Sequence, residues 1–503
     1  MIKQGLKSLK NQGLGFTALK VKEHFKYKRL SRLYVKKHKD FLFTNSYKFP
    51  QTEDILFSIV VPLFNTDKEM LLDMLYSVLN QSYSSFQLCL YDASTDDKIK
   101  SIIEGVCPDD KRVCYKKAED NKGIALNSNE GAKMAEGDFI IFLDHDDMLC
   151  ENALSELART IHFNKDADFI YSDELSFSKD PTLPKTVHVK PDFSIDNLLG
   201  NNYICHLMAI KKSLFNTVGG FREGFDGSQD HDLVLRLAQN AICIIHIPKV
   251  LYFWRIHKNS VAQSIDAKPY CVDSGIKAVE DFLKNEGLNA EVHAIDNNPV
   301  YRVRYKGFDG NYSVINNTDN MLDSADSINE DSVLFFINSN LRLDDESIIE
   351  LCAMVKQRPD IGAAGGRIDV DNKIFSLGAR LDRRLGFSPV FNGVSSTSCG
   401  YMKRLWYSQE VSMLLGFMAV RKSIFDQFGG FDQNLQPDER IADFCLRLSQ
   451  TGFLICANPN CISTAEKAPQ LFSASPAFIN KWKDLTRTTD RYVSNAVNVF
   501  LSK

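Results

Sequence analysis

The sequence predicts a mixed α/β protein with a mostly parallel sheet, and three observations lead to this prediction. Short runs rich in β-branched and apolar residues alternate with segments of helical spacing, which is the pattern of a parallel sheet covered by helices. The chain has 503 residues, of which 44% are apolar and 25% charged, so it resembles a soluble globular protein that is too long for one core. Segments of the first half recur in the second half, which predicts a repeated domain.

The first half opens with the clearest strand and helix signals. Residues 57–65, FSIVVPLFN, form an apolar run that predicts a buried parallel strand ended by Pro62 and Asn65. The helix predicted next carries four apolar residues on one face, Leu71, Leu75, Val78 and Leu79. Further strands are predicted at residues 87–94, 112–117, 138–144 and 249–253. Because ligands of parallel sheets bind at the carboxyl ends of the strands, we expect a site near Asn65, Asp92 and Asp144.

The repeat is carried by three pairs of segments in the same order. They are MAIKKSLFNTVGGF (208–221) and MAVRKSIFDQFGGF (418–431), DLVLRLAQNAICIIHIP (232–248) and DFCLRLSQTGFLICANP (443–459), and the weaker pair 139–157 and 333–351. The second copy is incomplete, because too few residues precede its first matched strand to hold the strand–helix units that open the first copy. We therefore predict three regions: a basic N-terminal arm at 1–50, a complete domain at 51–295 and a reduced copy at 296–503.

Charge is distributed unevenly. The net charge is −4, which predicts no nucleic-acid partner for the chain as a whole. Residues 1–40, however, carry twelve Lys and Arg against only Glu23 and Asp40, with apolar residues between them. This region is either a solvated basic arm or an interfacial segment facing the anionic inner leaflet, where each basic residue contributes about 1 kcal/mol. We favour the membrane interpretation.

The sequence also predicts the compartment. It has no run of 18 apolar residues and no apolar signal-peptide core at its N-terminus. Its twelve cysteines include no CxxC pair, which favours reduced thiols in the cytosol. Together with the basic arm, this predicts a cytoplasmic protein bound peripherally to the inner face of the plasma membrane.

Acidic residues after the strand at 138–144 are the first candidates for chemistry. Asp144 and Asp146 in the run Asp144-His145-Asp146-Asp147 can point together into a cleft, and their hard oxygen ligands suit Mg²⁺ or Mn²⁺. Such a metal would neutralise a diphosphate leaving group. An acidic loop that caps the next helix explains the same run equally well.

Four other signals are each weak alone. Asp92 can accept hydrogen bonds from a base or ribose or simply end a turn, and Gly123 allows close approach to a ligand or only a turn. Asp230, in a first helical turn, is a candidate general base or a helix cap. His257, after the strand at 249–253, is a candidate metal ligand, although a lone histidine is more often structural.

Taken together, these segments resemble family 2 glycosyltransferases of the GT-A fold. The matching pieces are VVPLFN, YDASTDD, NKGIALNSNEGA, FLDHDD, GGFREGFDGSQDHDLVLRL and WRIHKNS, which cover nearly all of residues 55–260. The resemblance implies an inverting, metal-dependent transfer from a nucleoside diphosphate sugar. It also implies a GT-A domain followed by a truncated, degenerate GT-A-like domain, as in tandem transferases that build rhamnan and O-antigen types of surface polysaccharide on a lipid-linked acceptor.

The resemblance assigns a role to each matching residue. Asp230 is the catalytic base, and Gln229 replaces the acid that commonly precedes it. The metal ligands are Asp144, Asp146 and His257. The donor-binding residues are Pro62, Asn65, Asp92, Lys122, Gly123, Asn129, Asp144 and His145. Asp173, Glu174 and Gln229 are assigned to the acceptor side, and the segment 190–206 to the cleft wall. Rhamnose is the first expectation for the donor sugar by this resemblance, followed by galactose, glucose and N-acetylhexosamines.

In the second copy the corresponding acids are missing. Asn338-Ser339-Asn340 replaces the paired carboxylates, and Arg440-Ile441 aligns with Gln229-Asp230, although Asp438 and Glu439 lie close enough for another alignment. We expect this copy to support the first domain, bind glycan or bind a partner. A non-catalytic nucleotide-sugar or glycan-binding subunit is the alternative for the whole chain, and a nucleotidyltransferase is a further alternative within the enzymes.

Overall fold

The computed structural model describes residues 2–44, 55–257, 270–316, 328–382, 386–465, 474–485 and 490–493. Its helices are α1 (Ile2–Lys37), α2 (Lys39–Phe43), α3 (Lys68–Leu79), α4 (Lys98–Val106), α5 (Ile124–Ala132), α6 (Ala153–Phe163), α7 (Ile195–Gly200), α8 (Lys212–Thr217), α9 (Gln229–Asn240), α10 (Tyr270–Asn285), α11 (Asp345–Gln357), α12 (Lys422–Gln427), α13 (Pro437–Ser449) and α14 (Pro476–Trp482).

The strands of the first half are β1 (Phe57–Leu63), β2 (Phe86–Asp92), β3 (Val113–Lys117), β4 (Phe139–Phe142), β5 (Met148–Leu149), β6 (Phe169–Phe177), β7 (Thr186–His188), β8 (Met208–Lys211) and β9 (Ile244–Arg255). Those that follow are β10 (Ala290–Ala294), β11 (Tyr301–Tyr305), β12 (Tyr312–Asn316), β13 (Val333–Ile337), β14 (Ile361–Val370), β15 (Lys373–Leu377), β16 (Ala379–Asp382), β17 (Gly386–Pro389), β18 (Gln409–Glu410), β19 (Phe417–Arg421) and β20 (Leu454–Thr464).

The chain divides into two compact units. The first unit consists of Glu23–Phe193 and Asn202–Val279, and the second of Met1–Lys22, Ser194–Asn201 and Glu280–Lys503. The sequence predicts a domain boundary at 295/296, which would separate β10 from β11. These two strands form an antiparallel hairpin, so their backbone hydrogen bonds keep them in one unit.

The first unit is built on one large sheet with the strand order β3-β2-β1-β4-β8-β6-β9-β5, and β7 pairs with β6. Its β3-β2-β1-β4 part is parallel, as expected, whereas β8 runs antiparallel to both of its neighbours. Every residue of β1 and β2 is buried, which explains their continuous apolar sequences. The parallel register aligns Leu63 with Asp92 and Asp92 with Lys117, so these strands end at one edge.

Pro62 does not end β1, contrary to the expectation from sequence. The strand continues to Leu63, and Pro62 pairs with Tyr91 of β2. On its other side β1 pairs with β4 only as far as Val60. Since Pro62 lies beyond the last β4 pair, it occupies an edge-like position where a missing backbone N–H does not break the sheet.

The second unit repeats the central part of the first sheet. Its order is β12-β13-β19-β14-β20-β18, with β13 antiparallel to β19, β19 antiparallel to β14 and β14 parallel to β20. The set β4, β8, β6 and β9 has the same order and the same directions. Strand β12 lies parallel to β13 as β1 lies to β4, and among the described residues no strand pairs with its far side.

One arginine contact establishes the alignment of the two copies. Arg236 of α9 pairs with Asp232 one turn earlier and donates to the carbonyls of Val218 and Gly220. Arg447 of α13 makes the same contacts with equivalent partners, Asp443, Phe428 and Gly430. The predicted duplication is therefore confirmed at the level of individual hydrogen bonds.

The basic N-terminal region forms the long helix α1 (Ile2–Lys37) and the short helix α2 (Lys39–Phe43). In α1, Ser31 and Val35 are buried, and the Ser31 hydroxyl accepts a hydrogen bond of 2.8 Å from the backbone N–H of Val187. In the part of the chain that the structure describes, no helix combines the length and the apolar character needed to cross a bilayer.

Candidate active site

The acidic loop after β4, formed by Asp144-His145-Asp146-Asp147, lies beside the end of β9 in the first unit. The Asp146 carboxylate is 2.6 Å from Nε2 of His257, so two of the predicted metal ligands are brought together from positions 111 residues apart. Asp144 keeps 52% of its side-chain surface exposed. Asp147 is fully buried and accepts hydrogen bonds from the Tyr252 hydroxyl at 2.7 Å and the Arg255 backbone N–H at 2.6 Å.

Arg255 holds this loop in place, a role that the sequence analysis did not assign. Its Nε donates to the backbone carbonyl of Asp146 at 2.7 Å, and its Nη2 lies 2.8 Å from the Asp73 carboxylate of α3. The guanidinium also stacks over the Phe177 ring. The motif WRIHKNS therefore supplies both the candidate ligand His257 and the arginine that orients the opposite loop.

His206 completes the group on the other side of Asp144, and the sequence analysis included it only within the segment 190–206. Its Nε2 is 3.8 Å from Oδ2 of Asp144, and its ring stacks on Tyr252 with centroids 4.6 Å apart. One ligand atom each from Asp144, Asp147 and His206 lie within 4.8 Å of one another. The only sequence signal was a histidine between two predicted strands.

The electrostatics of the acidic loop suit a divalent cation. Burial raises the pKa of Asp147 well above its usual value, and the neighbouring carboxylates of Asp146 and Asp144 raise it further. A cation would relieve this mutual repulsion, and carboxylate oxygens with imidazole nitrogen are a donor set that Mn²⁺ accepts. The residues present therefore fit the metal that the sequence analysis predicts.

Asp230 lies in the first turn of α9, as predicted. Burial raises the pKa of its carboxyl to about 6, with a further contribution from Asp144 that His206 partly opposes. Asp230 is thus close enough to the acidic loop to sense its charge, and its pKa suits a general base near neutral pH. Gln229 accepts from the Gly227 backbone N–H at 2.8 Å and donates to Oδ2 of Asp230 at 3.3 Å.

Two predicted donor-binding residues lie at neighbouring strand ends. Asp92 ends β2, is fully buried, and accepts hydrogen bonds from Tyr115 at 2.7 Å and Lys117 at 3.2 Å. Asn65 follows β1 with a φ of 47°, and its side-chain oxygen accepts from the Thr95 backbone N–H and hydroxyl, both at 3.1 Å. The two ends are therefore joined at the edge where a nucleoside is expected.

The remaining predicted donor residues divide into two kinds. Gly123 precedes α5 with a φ of 86° and open space where a Cβ would lie, and the neighbouring Lys122 is exposed. The side-chain amide of Asn129, by contrast, is hydrogen-bonded at both of its polar atoms to the backbone of Phe221. Nδ2 donates to the Phe221 carbonyl at 2.8 Å, and Oδ1 accepts from the Phe221 N–H at 2.9 Å. His145, in the acidic loop, is half-buried.

Asp173 and Glu174 do not line an open cleft, which corrects the expectation that they face the acceptor. Both are buried in β6. Asp173 accepts from the Lys190 backbone N–H at 2.8 Å and bonds to His246 at 2.9 Å. Burial alone would raise the pKa of Glu174, but Lys190 and hydrogen bonds from His188 and His206 bring it well below its usual value.

Comparison with known proteins identifies the family of one domain of the chain. A family model described as Glycosyl transferase family 2 matches residues 58–218. Residues 58–218 form a glycosyl transferase family 2 domain. This family 2 domain contains the acidic loop and the ends of β1 and β2. The match confirms the α/β, GT-A fold class and the family resemblance from which the residue roles are predicted.

Two relatives match different shares of the chain. Protein y4gI of Sinorhizobium fredii is 40% identical over 231 residues, covering 45% of this chain and 25% of y4gI. The O-antigen biosynthesis protein RfbC of Myxococcus xanthus is 25% identical over 496 residues, which is 84% of this chain and 38% of RfbC. The chain thus spans well under half the length of these two relatives.

Two further similarities cover about half of this chain. The GalNAc(5)-diNAcBac-PP-undecaprenol beta-1,3-glucosyltransferase of Campylobacter jejuni is 29% identical over 239 residues, covering 46% of this chain and 74% of that enzyme. Among solved structures, the mannosyltransferase PcManGT from Pyrobaculum calidifontis, in complex with GDP-Man and Mn²⁺, has a TM-score of 0.37 and 16% identity, and the match covers 53% of this chain and 75% of that one.

Proposed function

We propose that this chain is an inverting glycosyltransferase that moves a sugar from a nucleoside diphosphate sugar to a growing cell-surface polysaccharide. The observation that carries the proposal is the convergence of Asp230 with the acidic loop of Asp144 and Asp146 within one unit that contains the family 2 domain. A single displacement at an anomeric carbon needs a base for the acceptor hydroxyl and a positive charge for the leaving group. A carboxylate with a pKa near 6 would supply the first, and a metal-binding group beside it would supply the second.

Each group has one role in the proposed reaction. Asp230 accepts the proton of the acceptor hydroxyl as that oxygen attacks the anomeric carbon, so the displacement inverts the configuration. Asp144, Asp146 and His257 would hold a Mn²⁺ or Mg²⁺ ion, which when bound neutralises charge on the departing nucleoside diphosphate. Asp92 and Asn65 order the strand ends that receive the nucleoside, and Lys122 and Gly123 border the same edge.

The relatives support the class of acceptor. RfbC is named for O-antigen biosynthesis, and the Campylobacter jejuni relative is named for a glucosyl transfer to a glycan on undecaprenol diphosphate. We therefore propose a lipid-linked glycan of the O-antigen, capsule or rhamnan type as acceptor. Rhamnose stays our first proposal for the donated sugar.

We propose that the second unit is a degenerate copy without its own catalytic site. The shared arginine contact aligns Ile441, a buried apolar residue, with Asp230. Asn338 occupies the place of Asp144 and donates to Asp438 at 2.7 Å, so the two polar groups are engaged with each other. Trp482 is buried and donates to Asp443 at 3.0 Å, which favours packing over a sugar platform.

We propose that α1 lies on the cytoplasmic face of the membrane. Successive residues of an α-helix are rotated by about 100° around its axis. On this spacing, one third of the α1 circumference carries six exposed residues, Val21, Phe25, Arg29, Arg32, Leu33 and Lys36. Phe25 and Leu33 are 62% and 53% exposed. The opposite face, with Ser31 and Val35, is buried, so the mixed cationic and apolar face is presented outward, as in helices that bind anionic lipid surfaces.

A donor screen tests the central proposal. The full chain, with Mn²⁺ or Mg²⁺, would be mixed with dTDP-rhamnose and with UDP- and GDP-sugars. Thermal shift reports donor binding, and release of nucleoside diphosphate in the presence of a membrane-lipid acceptor extract reports turnover. We expect one donor to give metal-dependent stabilisation and release. Binding without release by any donor would instead favour a non-catalytic nucleotide-sugar-binding subunit.

A further inference from the structure

His206 has the surroundings of a metal-binding histidine. Its Nε2 faces Oδ2 of Asp144 at 3.8 Å, and its Nδ1 faces Oε2 of Glu174 at 3.5 Å. Histidines that bind metals usually direct one ring nitrogen at the ion and the other at a carboxylate or carbonyl, which sets the tautomer and the ring orientation. His206 lies between two carboxylates in this arrangement, one from the acidic loop and one buried behind it.

The carboxylate behind His206 is itself rigidly held. Glu174 is buried in β6, and its Oε2 lies 3.2 Å from Nζ of Lys190, whose side chain is fully buried. Its other oxygen is 2.7 Å from Nδ1 of His188. A buried carboxylate with an ion pair and further hydrogen bonds keeps its charge and position, which an orienting partner of a metal ligand requires.

The same ion pair also fixes the backbone that carries His206. Lys190 donates to the carbonyl of Ile204 at 2.6 Å and to the carbonyl of His206. Glu174 accepts from the backbone N–H of His206 at 3.3 Å. The ring has little freedom to turn, because it also stacks on Tyr252, whose hydroxyl bonds to Asp147.

On the metal side, the geometry is compatible with a shared cation. The ligand atoms of Asp144, Asp147 and His206 lie within 4.8 Å of one another, and ligands of one ion with bonds of about 2.1 Å are separated by about 3 to 4 Å. Small side-chain movements therefore close the group around an ion. His257, the nitrogen ligand already proposed, lies on the Asp146 side of the loop, with its Nε2 2.6 Å from that carboxylate.

We propose that His206 is a direct ligand of the divalent cation at Asp144, and that Glu174 and Lys190 are positioning residues for it. This inference rests on the proposed function and adds a nitrogen ligand to it. Imidazole nitrogen is a poor ligand for Mg²⁺ and a better one for Mn²⁺. The site is therefore a Mn²⁺-selective one, and exchange of His206 for an oxygen ligand should lower the preference for Mn²⁺ over Mg²⁺.

Electron spin-echo spectroscopy of the full chain loaded with Mn²⁺ tests the proposal, because it detects nitrogen bonded to the ion. We expect the wild type to show a ¹⁴N modulation from two imidazoles, His206 and His257, which becomes shallower in His206→Gln and is lost when His257→Gln is added. His188→Gln is the matched control, since His188 contacts the same Glu174 carboxylate from the other side, and it should keep the modulation. Circular dichroism and thermal unfolding would confirm that each variant is folded.

Glu174→Gln is the second variant, and it keeps the ligand while removing the charge behind it. We expect the nitrogen modulation to persist and the Mn²⁺ affinity, measured by titration of the free-ion EPR signal, to fall about 10- to 100-fold. A modulation that is absent in the wild type, or that keeps its wild-type depth in His206→Gln, would overturn the proposal. Donor-dependent turnover that persists alongside such a result would leave the proposed transfer standing, whereas absence of turnover with every donor would reject the transfer itself.

Discussion

Asp230 is the residue on which the proposed chemistry depends most directly. We expect Asp230→Asn to lower turnover by about 10²- to 10⁴-fold, the usual contribution of a general base, while donor binding by thermal shift stays near wild type. Asp226→Asn, an exposed acid four residues earlier, is the matched control and should turn over normally. Loss of donor binding in Asp230→Asn would indicate that this carboxylate belongs to the donor or metal site instead.

The pKa of Asp230 leads to a prediction about pH. Since its carboxyl has a pKa of about 6, the base is ionised above that value and protonated below it. We expect turnover per enzyme to fall about tenfold for each pH unit below 6 and to level off above 7. The measurement is the rate of nucleoside diphosphate release at saturating donor and metal between pH 4.5 and 8. A rate independent of pH across this range would exclude Asp230 as the base.

The same shift predicts the sign of a stability effect. A folded-state pKa above the usual value of about 3.9 means that ionised Asp230 destabilises the fold, and this cost develops as the pH rises from about 4 to 6. At pH 7.5 we therefore expect Asp230→Asn to unfold no earlier than wild type in a thermal melt. A lower melting temperature would show that the variant loses activity partly through its fold.

At the scale of elements, Asn129 joins α5 to the turn that precedes α9. Its amide makes two hydrogen bonds to the backbone of Phe221, 92 residues away. Loss of both bonds, with two backbone groups left unpaired, should lower the free energy of unfolding by about 1–3 kcal/mol in Asn129→Ala. Urea unfolding followed by fluorescence measures this change.

The control for Asn129 is Asn216→Ala, because Asn216 is exposed on α8 and should change stability by less than about 0.5 kcal/mol. The experiment separates the two roles of Asn129. A structural role predicts reduced stability with donor affinity close to wild type once the protein is folded. Unchanged stability with weakened donor binding would support the donor-binding role that the sequence predicts.

The second unit contributes a prediction at the scale of the repeated element. If its copy of the acidic loop is not catalytic, Asn338→Ala should leave turnover within about twofold of wild type, even though it removes the 2.7 Å hydrogen bond to Asp438. The equivalent substitution in the first unit, Asp144→Ala, should abolish metal-dependent release and serves as the positive comparison. A loss of more than tenfold in Asn338→Ala would show that the second unit takes part in the reaction.

At the scale of the whole molecule, the proposed role of α1 is to bind the membrane that carries the proposed acceptor. With about 1 kcal/mol lost per cation and added repulsion from each new carboxylate, Arg29→Glu/Arg32→Glu should lower binding to vesicles of phosphatidylglycerol and phosphatidylcholine by at least about thirtyfold. Sedimentation of the full chain with vesicles measures this, and binding should also weaken in 0.5 M salt because salt screens the attraction.

Charge reversal elsewhere is the control for the membrane prediction. Lys98→Glu/Lys100→Glu alters two exposed cations of α4 and should leave vesicle binding unchanged. Equal losses in both double variants would indicate a general charge effect without a defined face. Turnover on a soluble acceptor should be similar in all three proteins, since none of these residues lies in the acidic loop.

The periodic features of the molecule were predictable from sequence because they are local. Strands β1 and β2 have continuous apolar runs, α3 has its buried stripe, and the repeat was visible as matched segments. The acidic loop, Asp230 and the family resemblance were predictable for the same reason, since each depends on residues that are close in sequence. Packing then placed Asp230 in a helical first turn and Asp146 beside His257, as the sequence analysis implied.

Features that depend on distant residues were decided only by tertiary structure. Pro62 continues β1 because β4 ends before it, and Asn129 is occupied by the backbone of Phe221. Asp173 and Glu174 are buried because β6 lies between β8 and β9 in the sheet, which no local pattern reveals. The position of His206 has the same cause. Its partners come from the acidic loop after β4, from β6 and from β9, and only folding brings the carboxylates of Asp144 and Glu174 to opposite sides of its imidazole ring.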